Sequence, residues 1–236
     1  MTAHKWLFAH RFRRHAFGWR SETPIQRIKE ALKEIKQTAR KEPVLAAEGA
    51  ILLIQKLSPA LAMIDSSSGA IGSMVNKAIE DLVTIIAKAN VDTTQRQLWL
   101  EKLWKALQDD EMSYIESLGD YWGELCVTPE LASSWADALM PLEEESRKSK
   151  AFEFNYFNGT SACLASLYAA SRYDELLDFI NKANCKSWSD RRWAVKALSA
   201  MGKKADAIRS AEESRRFHNP GGQIALAREQ TLLSSG

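Results

Sequence analysis

Cysteine, proline and long apolar runs are all scarce in this chain, and each scarcity removes a class of protein. The three cysteines, Cys126, Cys163 and Cys185, are odd in number and form no CxxC pair. Neither a zinc knuckle nor a thioredoxin-like site can be built from them, and they read as small buried thiols of a reducing cytosol. The longest apolar run, Ala50 to Ile54, is far short of a bilayer. The amino terminus passes from Trp6 and Phe8 straight into Arg11, Arg13 and Arg14, with no apolar stretch of signal-peptide length. A cytoplasmic location is the expectation. Only four histidines occur, and they sit at the two ends of the sequence, His4, His10 and His15 against His218. No GxSxG elbow, HExxH helix or GxGxxG turn is present, so no residue is assigned a catalytic role and no cofactor or metal is expected.

What the chain does hold is helical periodicity. Six prolines and eleven glycines fall at helix ends rather than at hairpins. Ile25, Ile28, Leu32, Ile35 and Ala39 recur at three- and four-residue steps after Thr23-Pro24, a capping residue followed by a first-turn proline. Pro43 opens Val44 to Leu57, apolar on most of its circumference and therefore central. Ser58-Pro59 reads as the start of a further short helix. Ile71, Val75, Ile79, Leu82, Val83 and Ile86 mark a long buried helix. Leu100, Leu103, Trp104 and Leu107 mark the next, and Tyr114, Leu118, Tyr121, Trp122 and Leu125 the one after. Thr128-Pro129 repeats the cap-then-proline signal. No segment alternates with period two, so the expected fold is all-α, with about ten or eleven helices in short-looped antiparallel pairs.

The net charge of +2 hides segregation along the chain. Residues 1–43 hold 11 basic and 4 acidic side chains, residues 44–91 hold 3 and 4, residues 92–145 hold 3 and 13, and residues 146–236 hold 15 and 9. Blocks of opposite sign meet different partners or attract one another within the fold. They suggest a basic, aromatic segment at 1–43, a helical core with an acidic surface at 44–158, and a carboxyl-terminal portion at 159–236.

That last portion repeats. The stretch from Cys163, "CLASLYAASRYDELLDFINKA", and its counterpart beginning one residue after Trp193 superpose with a shift of 31 residues, placing Leu167 on Leu198, Ser171 on Gly202 and Leu177 on Ile208. With Met201-Gly202 at a helix-ending turn and Ala207 opening the next helix, and Tyr173 and Leu176 in the corresponding places, residues 160–216 resemble tetratricopeptide repeats. The family's usual proline is missing from the end of both units. The whole chain is similar to bacterial helical-repeat proteins of uncharacterised type. The resemblance implies a TPR/HEAT-like solenoid of helix pairs whose usual work is protein binding. A solenoid ordinarily ends in a polar capping helix. Here the last helix carries Ile224, Leu226, Leu232 and Leu233, so it either folds back on the array or docks against a partner or a second copy.

Three stretches are candidate sites. At the amino terminus Trp6, Phe8, Phe12, Phe17 and Trp19 interleave with Arg11, Arg13, Arg14 and Arg20. On the following helix Lys29, Lys33, Lys36 and Arg40 share one stripe. Arginines on phosphates beside aromatics on bases suit single-stranded nucleic acid. Alternatively, the aromatics anchor a core and the cations are solvated or paired with the acidic middle. The stretch Ser66, Ser67, Ser68 and Gly69 precedes a helix whose free N–H groups suit an anion, or else Asp65 or a serine caps that helix while Gly69 and Gly72 permit close packing. Asp109, Asp110, Glu116, Asp120 and Glu124 form an acidic partner surface, the last three expected on one helical face. They lack EF-hand spacing. The function expected is a non-enzymatic adaptor binding a protein partner. The alternatives are a nucleic-acid-associated factor using the basic segment and a hydrolase or transferase near Ser66 to Ser68.

Overall fold

The computed structural model describes residues 4–67, 69–148, 159–183, 185–215 and 220–233. Among them all regular structure is helical, as the periodicity requires. Eleven α-helices follow in order: α1 Glu22–Ala39, α2 Pro43–Leu61, α3 Ala70–Lys88, α4 Thr93–Gln108, α5 Trp122–Cys126, α6 Pro129–Lys148, α7 Thr160–Ala169, α8 Tyr173–Lys182, α9 Trp188–Ala200, α10 Lys204–Ser214 and α11 Gly221–Leu233, with a 3-10 helix at Glu116–Tyr121 before α5. Packing divides the chain into two units, residues 1–127 and 128–236. The three-part division expected above follows charge. The packing instead joins the basic segment to the helices that cover it and assigns α6 to the second unit.

In the first unit α2 is the centre, flanked by α1, α3 and α4. Its length and composition would suit a membrane span, yet most of it is buried against its neighbours. Leu53, Ile54, Leu57 and Leu61 of α2, Ile28 and Ile35 of α1, and Ile71, Ile79 and Leu82 of α3 are all fully buried, and α2 packs on both α1 and α3. Ser58-Pro59 does not begin a new helix; α2 continues through it to Leu61. A proline in the last turn removes a single ladder bond, and the helix ends two residues later. The Pro59 carbonyl accepts the His15 N–H at 2.9 Å.

The segment read as one helix from Tyr114 to Leu125 is instead a 3-10 helix followed by the short α5. Gly119 and Gly123 weaken it as an α-helix. The Asp110 carboxylate fixes its entry by accepting the Tyr114 and Ile115 N–H groups at 3.1 and 2.7 Å. Arg96 of α4 is 5% exposed. Its guanidinium donates to the carbonyls of Ile86 at 2.7 Å and Ala89 at 2.6 Å, satisfying the open end of α3 where a carboxylate would otherwise be sought.

Residues 4–20 form a strap without regular structure that runs antiparallel to α1. The Leu7 and Phe8 N–H groups donate to the two oxygens of Glu34 at 2.8 and 3.2 Å, Arg11 donates to Glu30 at 2.6 Å, and Asp65 donates its N–H to the Trp19 carbonyl at 3.0 Å. Beneath these polar ties the rings of Trp6, Phe8, Phe12 and Phe17 are buried, with successive centroids 5.5, 6.3 and 5.5 Å apart. Such tilted and edge-on contacts suit aromatic quadrupoles. Trp6 lies directly on Gly49 of α2, where a Cβ would come within 2.3 Å of its ring.

In the second unit consecutive helices pack on one another. α6 packs on α7; α8 packs on α7 and α9; α10 packs on α9 and α11; and alternate helices, α7 with α9 and α9 with α11, also touch. Two turns 31 residues apart have the same backbone geometry. Ser171 and Gly202 both take positive φ, 57° and 75°. At the first turn Arg172 N–H reaches the Leu167 carbonyl and Ser171 N–H that of Tyr168; at the second, Lys203 reaches Leu198 and Gly202 reaches Ser199. Both bonds of a left-handed helix cap are thus made twice. Arg172 also ties α8 to α6, donating to Asp137 at 2.6 Å and to the Ser133 carbonyl at 3.2 Å. Its guanidinium is held above its usual range, first by the Glu175 hydrogen bond. Trp188, Val195, Ala207, Ala211 and Ile224 knit α9, α10 and α11 into one cluster.

Candidate functional site

The strap divides its residues by chemistry. Trp6 and Phe12, expected as binding residues, are 6% and 1% exposed. They are anchors of the core and offer no face to a base, because burying an aromatic ring outweighs presenting it singly to water. Trp19, 71% exposed, remains outside. Arg11 is engaged by Glu30, and Arg13 donates to the His10 carbonyl at 3.0 Å. Arg14 faces Glu111 at 3.7 Å, with both side chains mostly in solvent, a pair worth little. Arg20 is exposed. On α1, Lys29, Lys33 and Arg40 are exposed, while Lys36 pairs with Asp81 of α3 at 2.7 Å. The stripe expected from their spacing is therefore present on the outer face of α1.

The serine stretch is a turn and a helix start. Asp65 accepts the Ser67 N–H at 2.9 Å, which holds its carboxyl below the usual range. Gly69, not a serine, is the residue before α3, with φ 70° and no side-chain cap. Gly72 opens on empty space, so it serves no close packing. Ser66 and Ser67 are exposed; Ser68 lies outside the described residues.

The acidic group does not form one surface. Asp110 is 3% exposed and occupied with backbone N–H groups, so it is a structural residue and not part of a partner face. Asp109, Glu116 and Glu124 are exposed and Asp120 is half-buried. In a 3-10 helix four residues turn by about 120° beyond a full circle, so Glu116 and Asp120 do not share a face as they would in an α-helix. No group of three or more His, Cys, Asp and Glu side chains gathers to hold a metal among the described residues.

Two cavities stand out. One, of about 480 Å³, lies in the first unit between Arg14, Ser58, Pro59 and Ala62 on one side and Gln108, Asp109, Glu111 and Met112 on the other. Among its described lining residues Arg14 faces two acids, Asp109 and Glu111. The other, of about 470 Å³, is a groove in the second unit between α9 and α11, lined also by Tyr168 of α7. Val195, Ala200, Leu226 and Ala227 supply apolar walls, Gln223 and Gln230 line one edge, and Arg192 and Lys196 the other. No carboxylate lines it among the described residues. Lys196 Nζ sits 4.3 Å and the Arg192 guanidinium 5.6 Å from the centre of the buried Trp193 ring, and Arg192 Nε also donates to the Ser189 carbonyl at 2.9 Å. Burial, and then the adjacent Tyr173, push the Tyr168 phenol upward.

The last helix both covers and exposes. Ile224 and Thr231 are buried against α9 and α10, whereas Leu226, Leu232 and Leu233 are 55%, 56% and 72% exposed. Apolarity marks Leu226 in the sequence, whereas Tyr168, Arg192, Lys196 and Gln230 carry no such mark. The available signal was the step of four from Arg192 to Lys196 to Ala200, on the flank of α9 away from buried Ala194 and Ala197. No family model matches the chain, and no curated protein or solved structure matches it.

Proposed function

We propose that this protein is a non-enzymatic helical-repeat adaptor of tetratricopeptide-like type, and that its second unit takes a segment of a partner protein in the groove between α9 and α11. The observation that carries this reading is the groove itself: apolar walls, an edge bearing two cations, and Leu226 left in solvent beside it. Large apolar side chains left uncovered beside polar edges are the usual composition of a protein-binding patch. The repeat reading is supported by the twin turns at Ser171 and Gly202 and by contact between alternate helices. A groove between helices two apart is where a stack of helix pairs presents side chains without opening its core.

The test is affinity capture from the source cells with the full chain, alongside Leu226→Glu and Lys196→Glu. A stoichiometric protein retained by the parent and lost from both variants, with their helical content unchanged, supports the reading. A protein retained equally by all three, or repeated recovery of the chain alone, overturns it.

A further inference from the structure

Burial of the strap aromatics leaves the basic face of α1 as a surface with a chemistry of its own. Lys29, Lys33, Lys36 and Arg40 follow one line along the helix, at axial steps of about 6, 4.5 and 6 Å. Lys29, Lys33 and Arg40 are exposed and make no ion pair among the described residues. The helix's own acids do not offset them. Glu30 lies about a quarter turn away and is engaged by Arg27 and Arg11, at 2.7 and 2.6 Å. The Arg27 hydrogen bond, followed by that of Gln26, holds its carboxyl below the usual range. Glu34 is engaged by the strap amides. Asp81 is taken by Lys36. Glu22 and Glu42 stand at the two ends of the line, beyond Lys29 and Arg40 respectively.

We infer that the outer face of α1 is a binding surface for the phosphate backbone of double-stranded nucleic acid. Three features select this ligand. The cations are spread in single file over about 17 Å, the arrangement that a repeating anion needs and that one small phosphate does not. The face carries no large exposed apolar side chain, so it has nothing to insert into a lipid surface and no dry centre for an acidic protein. The rings that would stack on single-stranded bases are inside the core, apart from Trp19. Recognition is therefore of backbone charge and not of sequence. This inference is independent of the groove in the second unit.

The test uses the full chain and a fluorescent mixed-sequence duplex of about two helical turns, followed by anisotropy across salt concentration. Neutralising three to four phosphates gives a slope of log K against log salt of about −2.7 to −3.6, and a loss of about 40- to 150-fold between 50 and 200 mM salt. The variant Lys29→Ala/Lys33→Ala/Arg40→Ala should keep its helical content, since all three side chains are in solvent, and should lose most of that slope. A control, Lys102→Ala/Lys182→Ala, should lose little. The inference is overturned by no binding at 50 mM salt, or by a triple variant that binds with the parent's slope. It is equally overturned if vesicles containing an anionic phospholipid, or poly-glutamate, displace the duplex at matching charge concentration.

Discussion

Replacing Gly49 by alanine tests how the strap is held. On a solvent-facing helix position the change would add about 0.5–1 kcal/mol of stability through backbone entropy. At Gly49 the new Cβ would fall 2.3 Å from Trp6 Cζ2 and 2.6 Å from Cε2 and Cη2. No pair of carbons tolerates that. Expelling Trp6 would re-expose on the order of 200 Å² of ring, roughly 5 kcal/mol at 25 cal/mol per Å². A shift of α2 against the strap is the cheaper response, and overpacking of this kind costs about 1–3 kcal/mol. Gly49→Ala should therefore lower the urea midpoint, read by far-UV circular dichroism, with little change of slope. Gly72→Ala, which meets nothing within 4 Å, should raise it. The decisive step is the double variant. Trp6→Ala alone should cost about 3–5 kcal/mol, but in its background Gly49→Ala should turn stabilising, giving a coupling of about 2–4 kcal/mol between residues 43 positions apart. If Gly49→Ala is harmless in the parent, or equally harmful without Trp6, the strap is not seated as described.

The paired turns predict opposite signs from one substitution logic. Ser171→Gly should stabilise the second unit by about 1 kcal/mol and Gly202→Ala destabilise it by about as much, since both positions need positive φ and only glycine takes it without strain; thermal unfolding of the two variants reads this directly, and shifts of the same sign would refute it. Cys126 predicts a pH dependence. Burial pushes its thiol from 9.0 up to about 12, opposed weakly by Arg96. The unfolded chain therefore loses this proton first, so stability is intact below pH 9 and falls by about 1.4 kcal/mol per pH unit from there towards 12. The difference in urea midpoint between the parent and Cys126→Ala should widen against the parent from pH 8 to pH 10, and a constant difference would show that the thiol is not so buried.

What the sequence made legible is what depends on neighbours three and four residues away. The runs at Ile25–Ala39 and Ile71–Ile86 became α1 and α3 because one face of each had to be buried, and the turns at Ser171 and Gly202 share a geometry because a left-handed cap is specified by a few local residues. What stayed hidden depends on distant partners. Trp6, Phe8, Phe12 and Phe17 have no helical spacing, and their burial rests on Gly49 and on Glu34, which no local pattern announces. Asp110 looked like one charge in an acidic run, but its partners are backbone N–H groups that exist only once the chain turns. Charge spacing was trustworthy on α1 because that helix is real over its full length, and misleading at Glu116 to Glu124 because the helix there is interrupted. The same reasoning separates the two surfaces now open to experiment. The stripe on α1 is a property of a single helix and should outlast changes in packing elsewhere. The groove is made by α9, α11 and Tyr168 together, so disturbing the α10 packing that spaces α9 from α11 should abolish partner binding while leaving the stripe's salt-dependent binding intact.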